Sequence, residues 1–434
     1  MKPQKIIGLV AAGIIAAVGT LFAYNSISAG DEDIHVMNYK PAPQTQNSSS
    51  FRISRYENIQ TLDWVNDREI LTMSKKADYP KSINIKGRKP VIYNETSYYL
   101  GIYNPDTGIS KDFKDVNMRI FLGMSPDKKY ALYEEFKRIP PSDSGEWKEA
   151  LKSGELYNHG IKLLNLSTGS ISELKTKYKN KDAEYQWIEN NKIVANYPFE
   201  GVWEIVDING NIVKSGPVTS TPKECTYFSG TDIKSTGNDI SGRIYFRLDK
   251  TVKNGTNTQI VTVDINTKEV KTLIKVNDYC NFAHSKGINM LLLFPQGGSP
   301  NATLQWLDDS GIVKNEFPID PSTDIYNGVL SRISVSPNGK IAALPSHTSQ
   351  FTGSVNKVKP EAGTNEPELV EDKLKKIVWT GKLTLLDLES GKTRDVINCG
   401  SVQNISWSSD GNTICFSSKR NIDSEATSYI VALN

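Results

Sequence analysis

The stretch NISWSSDGNTICFSS, residues 404–418, decides the fold. Apolar and aromatic residues alternate with small polar ones on both sides of a Ser-Ser-Asp-Gly turn, a pattern typical of two strands joined in a hairpin. The Asp-Gly step suits the positive φ angles that tight hairpin turns require. Versions of this hairpin recur along the chain, so the sequence predicts a fold made of repeated small sheets.

The first class of hairpin can be aligned on its turns. Its members are residues 61–72 (TLDWVNDREILT), 121–133 (FLGMSPDKKYALY), 185–195 (YQWIENNKIVA), 333–344 (ISVSPNGKIAAL) and 405–416 (ISWSSDGNTICF), with a weaker copy at 282–293. One column of the alignment holds Trp64, Met124, Trp187, Val335 and Trp407. Because side chains alternate between the faces of a strand, this column points inward, and we predict core residues and not a platform for sugars.

A second class of hairpin follows the first along the chain. Its members are residues 101–110, 162–174, 205–213, 261–270, 305–313 and 384–393. Two alternating hairpins give four antiparallel strands, which is one blade of a β-propeller. We therefore predict an all-β propeller of about seven four-stranded blades, at about 60–115, 117–175, 182–215, 223–275, 278–318, 328–398 and 401–434.

The two ends of the predicted propeller complement each other. The last unit contains three predicted strands and ends at residues 427–433, while residues 51–59 (FRISRYENI) precede the first unit as an additional strand. We expect residues 51–59 to supply the outer strand of the last blade. Closing the ring in this way removes an edge that could pair with another chain.

Three of the hairpins resemble a known repeat. MSPDKKYALYEE, VSPNGKIAALPS and WSSDGNTICFSS are similar to the Ser-Pro-Asp-Gly-Lys repeat of TolB-like β-propellers, and the resemblance extends over residues 51–434. It implies a bacterial extracytoplasmic protein that binds proteins or peptides across the disc face or central channel; several related propellers are non-catalytic modules. The Ser-Pro step is absent from the first, third and last hairpins, so no particular partner is implied.

The N-terminus predicts a membrane anchor. Residues 1–5 are short and basic, residues 6–23 are 18 uncharged and mostly apolar residues, and acids follow at residues 31–33. As a helix the apolar segment would span roughly 27 Å, close to the thickness of the hydrocarbon core. We predict a single-pass signal-anchor helix with residues 1–5 in the cytoplasm, a flexible linker at 24–50 and an extracytoplasmic propeller at 51–434. The alternative is a signal peptide cleaved after Ala29, which would give a secreted protein.

Charge argues against nucleic-acid binding. Without the first 30 residues, 49 basic residues balance 49 acids, whereas nucleic-acid binding requires a clustered positive surface. We expect a monomer.

The cysteines do not form a metal-binding pattern. The chain has four cysteines, Cys225, Cys280, Cys399 and Cys415. None of them belongs to a CxxC pair or has a nearby His at zinc-ligand spacing. We predict four buried small apolar residues. A Cys225–Cys280 disulfide is the pairing to test, since an even count outside the cytoplasm permits one.

No catalytic motif is present. The sequence contains no G-x-S-x-G, HExxH, P-loop or G-x-G-x-x-G. We therefore predict no catalytic residues, no cofactor and no metal ligands. The lesser alternative is that His159, His284 and His347 converge on the channel around a metal, while His35 is solvated in the linker.

Two acidic pairs, Asp308/Asp309 and Glu134/Glu135, lie in turns or at strand ends. We predict that they are solvated or form hairpins, and that they are not a general acid/base couple.

Two insertions break the repeat spacing. Residues 142–156 predict a short surface helix with Trp147 and Leu151 on one side, and residues 351–380 predict a mobile loop. Both fall between the second and third strands of their blades, and so on one face of the disc. Loops held over a rigid scaffold are common binding sites, but most insertions are neutral decoration, so the two insertions are candidates for partner contact and nothing more.

These observations predict a membrane-anchored binding module for a protein, a peptide or an envelope component. The alternatives are a channel-sited hydrolase or lyase acting on polysaccharide or peptide, and a sensory subunit of a membrane signalling pair.

Overall fold

The structure is a computed structural model that describes residues 46–48, 51–57, 59–83, 91–136, 160–176, 183–197, 202–217, 243–252, 255–264, 266–276, 280–285, 288–293, 302–308, 310–319, 333–351, 377–421 and 426–433. The regular elements in these ranges are all β-strands. No helix in this part of the chain could cross a membrane. The predicted cytoplasmic segment at 1–5 and the predicted anchor at 6–23 lie outside the described ranges.

The strands form six antiparallel sheets. The first sheet contains, in spatial order, β3 (Gln60–Asn66), β4 (Glu69–Ile83), β5 (Val91–Tyr103), β6 (Ser110–Met124), β7 (Tyr130–Glu135), β8 (Ile161–Asn165) and β9 (Ile171–Glu173). The second contains β10 (Glu184–Glu189), β11 (Lys192–Tyr197), β12 (Val202–Asp207) and β13 (Ile212–Pro217). The third contains β14 (Arg243–Val252), β15 (Gly255–Asp264) and β16 (Val270–Val276).

The remaining three sheets complete the described fold. The fourth contains β17 (Cys280–Ser285), β18 (Ile288–Leu293), β19 (Ala302–Leu307) and β20 (Val313–Ile319). The fifth contains β21 (Ser334–Val335), β22 (Ile341–Phe351), β23 (Ile377–Asp387) and β24 (Thr393–Cys399). The last has the order β1 (Gln46–Ser48), β2 (Phe51–Glu57), β27 (Thr427–Leu433), β26 (Thr413–Lys419) and β25 (Ser401–Trp407).

Strand β6 belongs to two of the predicted blades. Residues 110–113 pair with β5, residues from Ile120 onward pair with β7, and Met118 between them pairs with both Tyr98 and Glu135. The change of partner coincides with the predicted boundary between 60–115 and 117–175. The two units nevertheless share one sheet, because the connecting residues 114–117 (KDVN) contain no Gly or Pro to interrupt the strand.

The third sheet shows three strands in the described part of the chain. The first strand of the predicted 223–275 blade would fall within residues 218–242, which lie outside the described ranges.

Seven hydrophobic clusters join successive units in chain order. Residue pairs that share a cluster across a boundary are Leu71 with Tyr133, Leu132 with Trp187, Ile205 with Phe246, Tyr245 with Phe282, Leu304 with Val335, Leu385 with Trp407, and Ile70 with Cys415. The last pair joins the final sheet to the first, so the series is closed. Full burial of one such large side chain contributes about 1.5–3 kcal/mol, which makes these faces the main source of stability.

The predicted closure by the N-terminal strand is confirmed. β2 pairs with β27 through seven residue pairs, from Phe51 with Leu433 to Glu57 with Thr427. The seam between the last and first sheets also contains hydrogen bonds: the hydroxyls of Ser417 and Thr61 are 3.0 Å apart, as are those of Ser417 and Ser428. β2 thus completes the last sheet, and β3 begins the first sheet, which lies directly beside the last one.

The inward column of the first hairpin class is buried as predicted. Trp64, Met124, Trp187, Val335 and Trp407 are each at most 8% exposed. The indole N–H of Trp407 donates to the carbonyl oxygen of Ser334 in the preceding sheet, at 3.1 Å. Trp187 Nε1 donates in the same way to Gly123 O, at 3.3 Å.

At the seam this pattern changes. The indole N–H of Trp64 is buried and has no hydrogen-bond acceptor among the described residues. Asp63, beside it, instead forms an ion pair with Lys128 Nζ at 2.7 Å and accepts a hydrogen bond from Ser406 Oγ.

The two ends of the sheets differ in their connections. We call the end at which β11 joins β12 the upper end, and the end at which β12 joins β13 the lower end. At the lower end, each turn between a third and a fourth strand lies against the fourth strand of the preceding unit. Gly311 shows why glycine is needed there, because its φ is +80° and a Cβ would lie 2.5 Å from Leu273 O. Related contacts join Gly169 to Phe113, Gly210 to Lys175 and Gly391 to Phe317.

A side-chain oxygen caps these lower turns. Asp308 Oδ1 accepts hydrogen bonds from the N–H groups of Ser310 and Ile312, both at 2.9 Å, and Asp387 Oδ1 accepts one from Ser390 N at 2.7 Å. Asn104 and Asn165 cap their turns with a neutral amide oxygen. The Asn and Asp residues that signalled turns in the sequence therefore act through their side chains.

Two predicted loop regions are shorter than expected. Residues 46–48 of the predicted linker form β1 on the outer edge of β2. Phe351 ends β22 and Ile377 begins β23, so the ends of the predicted 351–380 loop are strand, because IVWT pairs with HTSQF. Both insertions lie between second and third strands, as predicted. The predicted helix at 142–156 lies outside the described ranges.

The Trp column gives a matched test. Replacing Trp407 by Phe removes an indole hydrogen bond and leaves Ser334 O without that donor, whereas Trp64→Phe removes no such bond. We expect Trp407→Phe to lower the free energy of unfolding by about 1 kcal/mol more than Trp64→Phe does, measured by urea unfolding followed by circular dichroism. Equal losses would contradict the proposed role of the indole bond.

The turn caps predict a dependence of stability on acid. The hydrogen bond from Ile312 N–H, followed by contact with Lys314, lowers the pKa of Asp308, and hydrogen bonds from Ser390 lower the pKa of Asp387. An aspartate whose pKa is lowered in the folded state stabilises the fold at pH values above its ordinary pKa of about 4. This contribution to stability is lost as the pH falls below that value. We expect the urea midpoint of an Asp308→Asn/Asp387→Asn variant to fall less between pH 5 and about pH 3 than that of the wild type. Parallel curves would show that these caps do not govern acid stability.

Candidate functional site

Among the described residues, strand pairs run to the upper end of their sheets and past it in three places. The paired segments are residues 74–83 with 91–99, residues 249–252 with 255–258, and residues 348–351 with 377–380. We call these the upper ribbons. Each joins the second strand of its unit to the third, so all three rise from the same face of the series of sheets.

The ribbon of β22 and β23 is fixed at its base. His347 is 7% exposed and its ring meets that of Trp379 edge-on, with 6.4 Å between centroids. Trp379 N donates to Arg420 O at 2.6 Å, which ties the ribbon to the last sheet. A Cβ at Gly381 would clash with the carbonyl oxygen of Ser346, so the backbones approach closely here.

A group of polar side chains lies at the upper end between the first and second sheets. We call Arg119, Glu134, Tyr185, Tyr197 and Glu204 the upper cluster. The period-2 alternation of strands explains this placement. Tyr185 precedes Trp187 by two residues and Glu204 precedes Val206 by two, and those apolar residues pack against the first sheet.

The upper cluster is closely bonded. Arg119 Nη1 lies 2.6 Å from Glu134 Oε1, with the two side chains 13% and 14% exposed. The Tyr197 hydroxyl donates to Glu204 Oε1 at 2.5 Å, and both residues are fully buried. A buried carboxylate requires such a donor, because burial of an unbonded charge is costly.

The ionisation of the two tyrosines limits their chemistry. Burial raises the pKa of Tyr185 to about 12, and the nearby carboxylates of Glu204 and Glu134 add to the increase. Burial, and then the hydrogen bond to Glu204, raise the pKa of Tyr197 well above the usual range. Both phenols are protonated at neutral pH, so the cluster supplies hydrogen-bond donors and no phenolate base.

The residues of the two acidic pairs differ in their contacts and in their exposure. The prediction that Asp308 forms a hairpin is confirmed by its turn-capping bonds, while Asp309 lies outside the described ranges. The prediction that Glu134 is solvated is wrong, because it lies in the ion pair with Arg119. Glu135 lies 3.5 Å from Lys162 Nζ, in a pair that is partly exposed.

The histidines are not assembled into a site by the described residues. His284 lies in β17 and His347 lies in β22, while His35 and His159 fall outside the described ranges. In the described part of the chain, no group of three His, Cys, Asp or Glu side chains could hold a metal ion.

The cysteine prediction is partly confirmed. Cys280 and Cys415 are buried, and Cys399 is half-buried. Cys225 lies outside the described ranges, so its pairing with Cys280 stays a prediction.

Sequence reasoning missed the upper cluster. The signal was present, because Tyr185 lies two residues before an inward-facing Trp and therefore shares its orientation. It was overlooked because Tyr197 and Glu204 come together with Tyr185 only through the pairing of three strands.

Comparison with known proteins was informative for the fold. No protein-family model matches the chain, and the search of curated proteins found no match. Among solved structures, an oligogalacturonate lyase in complex with manganese is similar over 91% of this chain and 95% of its own, at 11% identity and a TM-score of 0.50. The fold is that of a β-propeller.

Two further structures have lower scores. The β-propeller domain of the Trilobed protease from Pyrococcus furiosus matches 83% of this chain and 90% of its own, at 11% identity and a TM-score of 0.44. TolB from Acinetobacter baumannii matches 84% and 80%, at 11% identity and a TM-score of 0.36. At 11% identity, the similarity to the lyase shows the fold alone and leaves the activity open.

The Tyr197–Glu204 contact can be tested by a double-mutant cycle. Tyr197→Phe removes the donor from a buried carboxylate and should lower the free energy of unfolding by about 1–3 kcal/mol. In a Glu204→Gln background the same change should cost less, because a neutral amide is less costly to bury. Urea unfolding of the four proteins at pH 7 gives the coupling energy. Additive losses would mean that the phenol does not stabilise the carboxylate.

Proposed function

We propose that this protein is a membrane-anchored, extracytoplasmic, TolB-like β-propeller of seven blades that binds a protein, a peptide or an envelope component at its upper face. It acts as a non-catalytic module and as a monomer. The observation that carries this proposal is the projection of all three upper ribbons from one face of the fold. Seven hydrophobic clusters in a closed series support the blade number.

The upper ribbons suit binding for a physical reason. Towards their tips the first two ribbons have two strands each, so their outer edges offer backbone N–H and C=O groups to an extended peptide. In the third ribbon, Trp379 N already donates to Arg420 O of the last sheet. The 142–156 insertion lies in the connection that leaves β7, and β7 carries Glu134 of the upper cluster. A ligand on this face would therefore meet both backbone edges and polar side chains.

The anchor is supported by the sequence. Residues 6–23 are long enough to span the hydrocarbon core, and positive charge precedes them. This arrangement would hold the propeller outside the membrane at its surface.

Site-specific photo-crosslinking in intact cells tests the proposal. A photoreactive amino acid at Lys76, in the first ribbon, should form a discrete adduct, while the same residue at Asn412, on the lower end, should not. Replacing residues 352–376 with a two-residue Asn-Gly turn should reduce the adduct, because it removes the second insertion and keeps the strand pair below it. Adducts from Asn412 alone, or from neither position, would contradict binding at the upper face.

An activity assay tests the non-catalytic part. The full chain is incubated with oligogalacturonate, with and without manganese, and ultraviolet absorbance follows any unsaturated product. We expect no turnover above the rate without protein. Turnover would favour the alternative of a lyase built on the same fold.

A further inference from the structure

The exposed apolar residues of this protein are confined to one place. In the described part of the chain, the large hydrophobic side chains that are exposed are Ile109 (67%), Ile171 (38%), Ile212 (45%), Val213 (52%), Ile312 (61%) and Val313 (40%). Each lies one to three residues after a lower-turn glycine, at the start of a fourth strand. We call these six side chains the lower row. Scattered exposed apolar residues are ordinary, but repetition of one position in four units is not scatter.

Contacts between neighbouring turns place the lower row along the edge of the disc at its lower end, which we call the lower rim. The turn at Gly169 lies against Phe113 of the preceding unit, and the turn at Gly210 lies against Lys175. The Lys111 ammonium donates to the carbonyl oxygens of Leu166 and Ser167, both at 3.1 Å, which joins the first two turns. The residues after these turns therefore lie along one continuous edge of the disc.

The last sheet shows what happens when this position has a cover. Phe51 begins the fourth strand there, equivalent to Ile109 and Val313, yet it is only 5% exposed. Phe51 packs in the apolar cluster between the fifth and last sheets, β1 lies beside β2, and the Arg394 guanidinium lies 5.4 Å from the Phe51 ring centroid. In the four units that carry the lower row, the described residues provide no such cover.

We infer that the lower rim rests on the lipid bilayer that holds the predicted anchor, with the lower row entering its interfacial layer. This inference depends on the proposed anchor. Exposed Ile and Val side chains gain from transfer out of water, and a fluid bilayer accepts spaced side chains along a curved rim without needing a complementary surface.

The length and position of the N-terminal segment fit this orientation. Residues 24–45 separate the predicted span from β1, and β2 begins at the lower end of the last sheet. A flexible linker of that length extends roughly 25 Å, close to the length of a seven-residue strand at about 3.3 Å per residue. The lower rim can therefore touch the bilayer while the upper ribbons face away from it.

Bromolipid quenching of a site-specific fluorophore tests the inference. The full chain is inserted into vesicles of phosphatidylcholine and phosphatidylglycerol with brominated acyl chains, and the label is attached through an azido amino acid at position 312. The matched control carries the label at position 380, in an upper ribbon. We expect quenching at 312 to exceed quenching at 380 several-fold. Ile109→Asp and Ile212→Asp together should at least halve the quenching at 312 and leave that at 380 unchanged.

Vesicle flotation separates this inference from the proposed anchor. A chain that does not float with the vesicles contradicts the anchor, and the rim inference fails with it. A chain that floats but shows equally weak quenching at both positions overturns the rim inference alone. Weak quenching at 312 together with energy transfer between labelled copies would assign the lower row to contacts between chains, and would also overturn it.

Discussion

The structure depends on face-to-face packing between small sheets that cannot fold alone. Each sheet has two apolar faces, and each face is buried only when the next unit covers it, so stability comes from contacts between neighbours. The indole of Trp407 or Trp187 adds direction to this non-specific packing. Its N–H donates to a backbone carbonyl in the first strand of the preceding unit. This bond favours one alignment of the two sheets. Trp64 lacks this bond, and at that boundary the hydrogen bond from Ser406 Oγ of the last sheet to Asp63 provides the specific contact.

The packing scheme leaves the two ends of the disc free to differ. At the lower end, tight turns with glycine and side-chain caps hold successive units together, so little length variation is possible there. At the upper end the connections do not take part in these contacts between turns, and the chain carries its ribbons and both insertions there. At this end Tyr197 and Glu204 place polar groups between two sheets, where they continue the alternation of the apolar strands beneath them. The structural core and the variable surface are thus separated along each strand.

Local sequence signals predicted the repeating parts of the fold well. The Asp-Gly turns, the alternation around Trp187 and Trp407, and the number of strands in the last unit each reflect short-range geometry, and they led to the hairpins and to the pairing of residues 51–57 with 427–433. The continuity of β6 was not predicted, because a strand that changes partner leaves no mark in the local pattern.

Other features depended on long-range pairing. The first upper ribbon includes Pro80 and many polar residues, so its strands become apparent only when residues 74–83 meet 91–99. Glu134 was expected to be solvated or to form a hairpin because it lies near a strand end, and only the fold shows Arg119 beside it. The upper cluster was missed for the same reason. What the sequence could not supply was the identity of the facing residues.

The pairing of β2 with β27 has a consequence for biogenesis. Residues 51–57 are among the first of the propeller to be synthesised, and their partners at 427–433 are among the last. Contacts of such high sequence separation form slowly, because the entropy of a very long loop must be lost first. The ring cannot close before the final residues have been synthesised, so the edge of β2 stays open throughout translation. A chaperone that shields an extended segment near the N-terminus would therefore protect this protein at its most aggregation-prone stage.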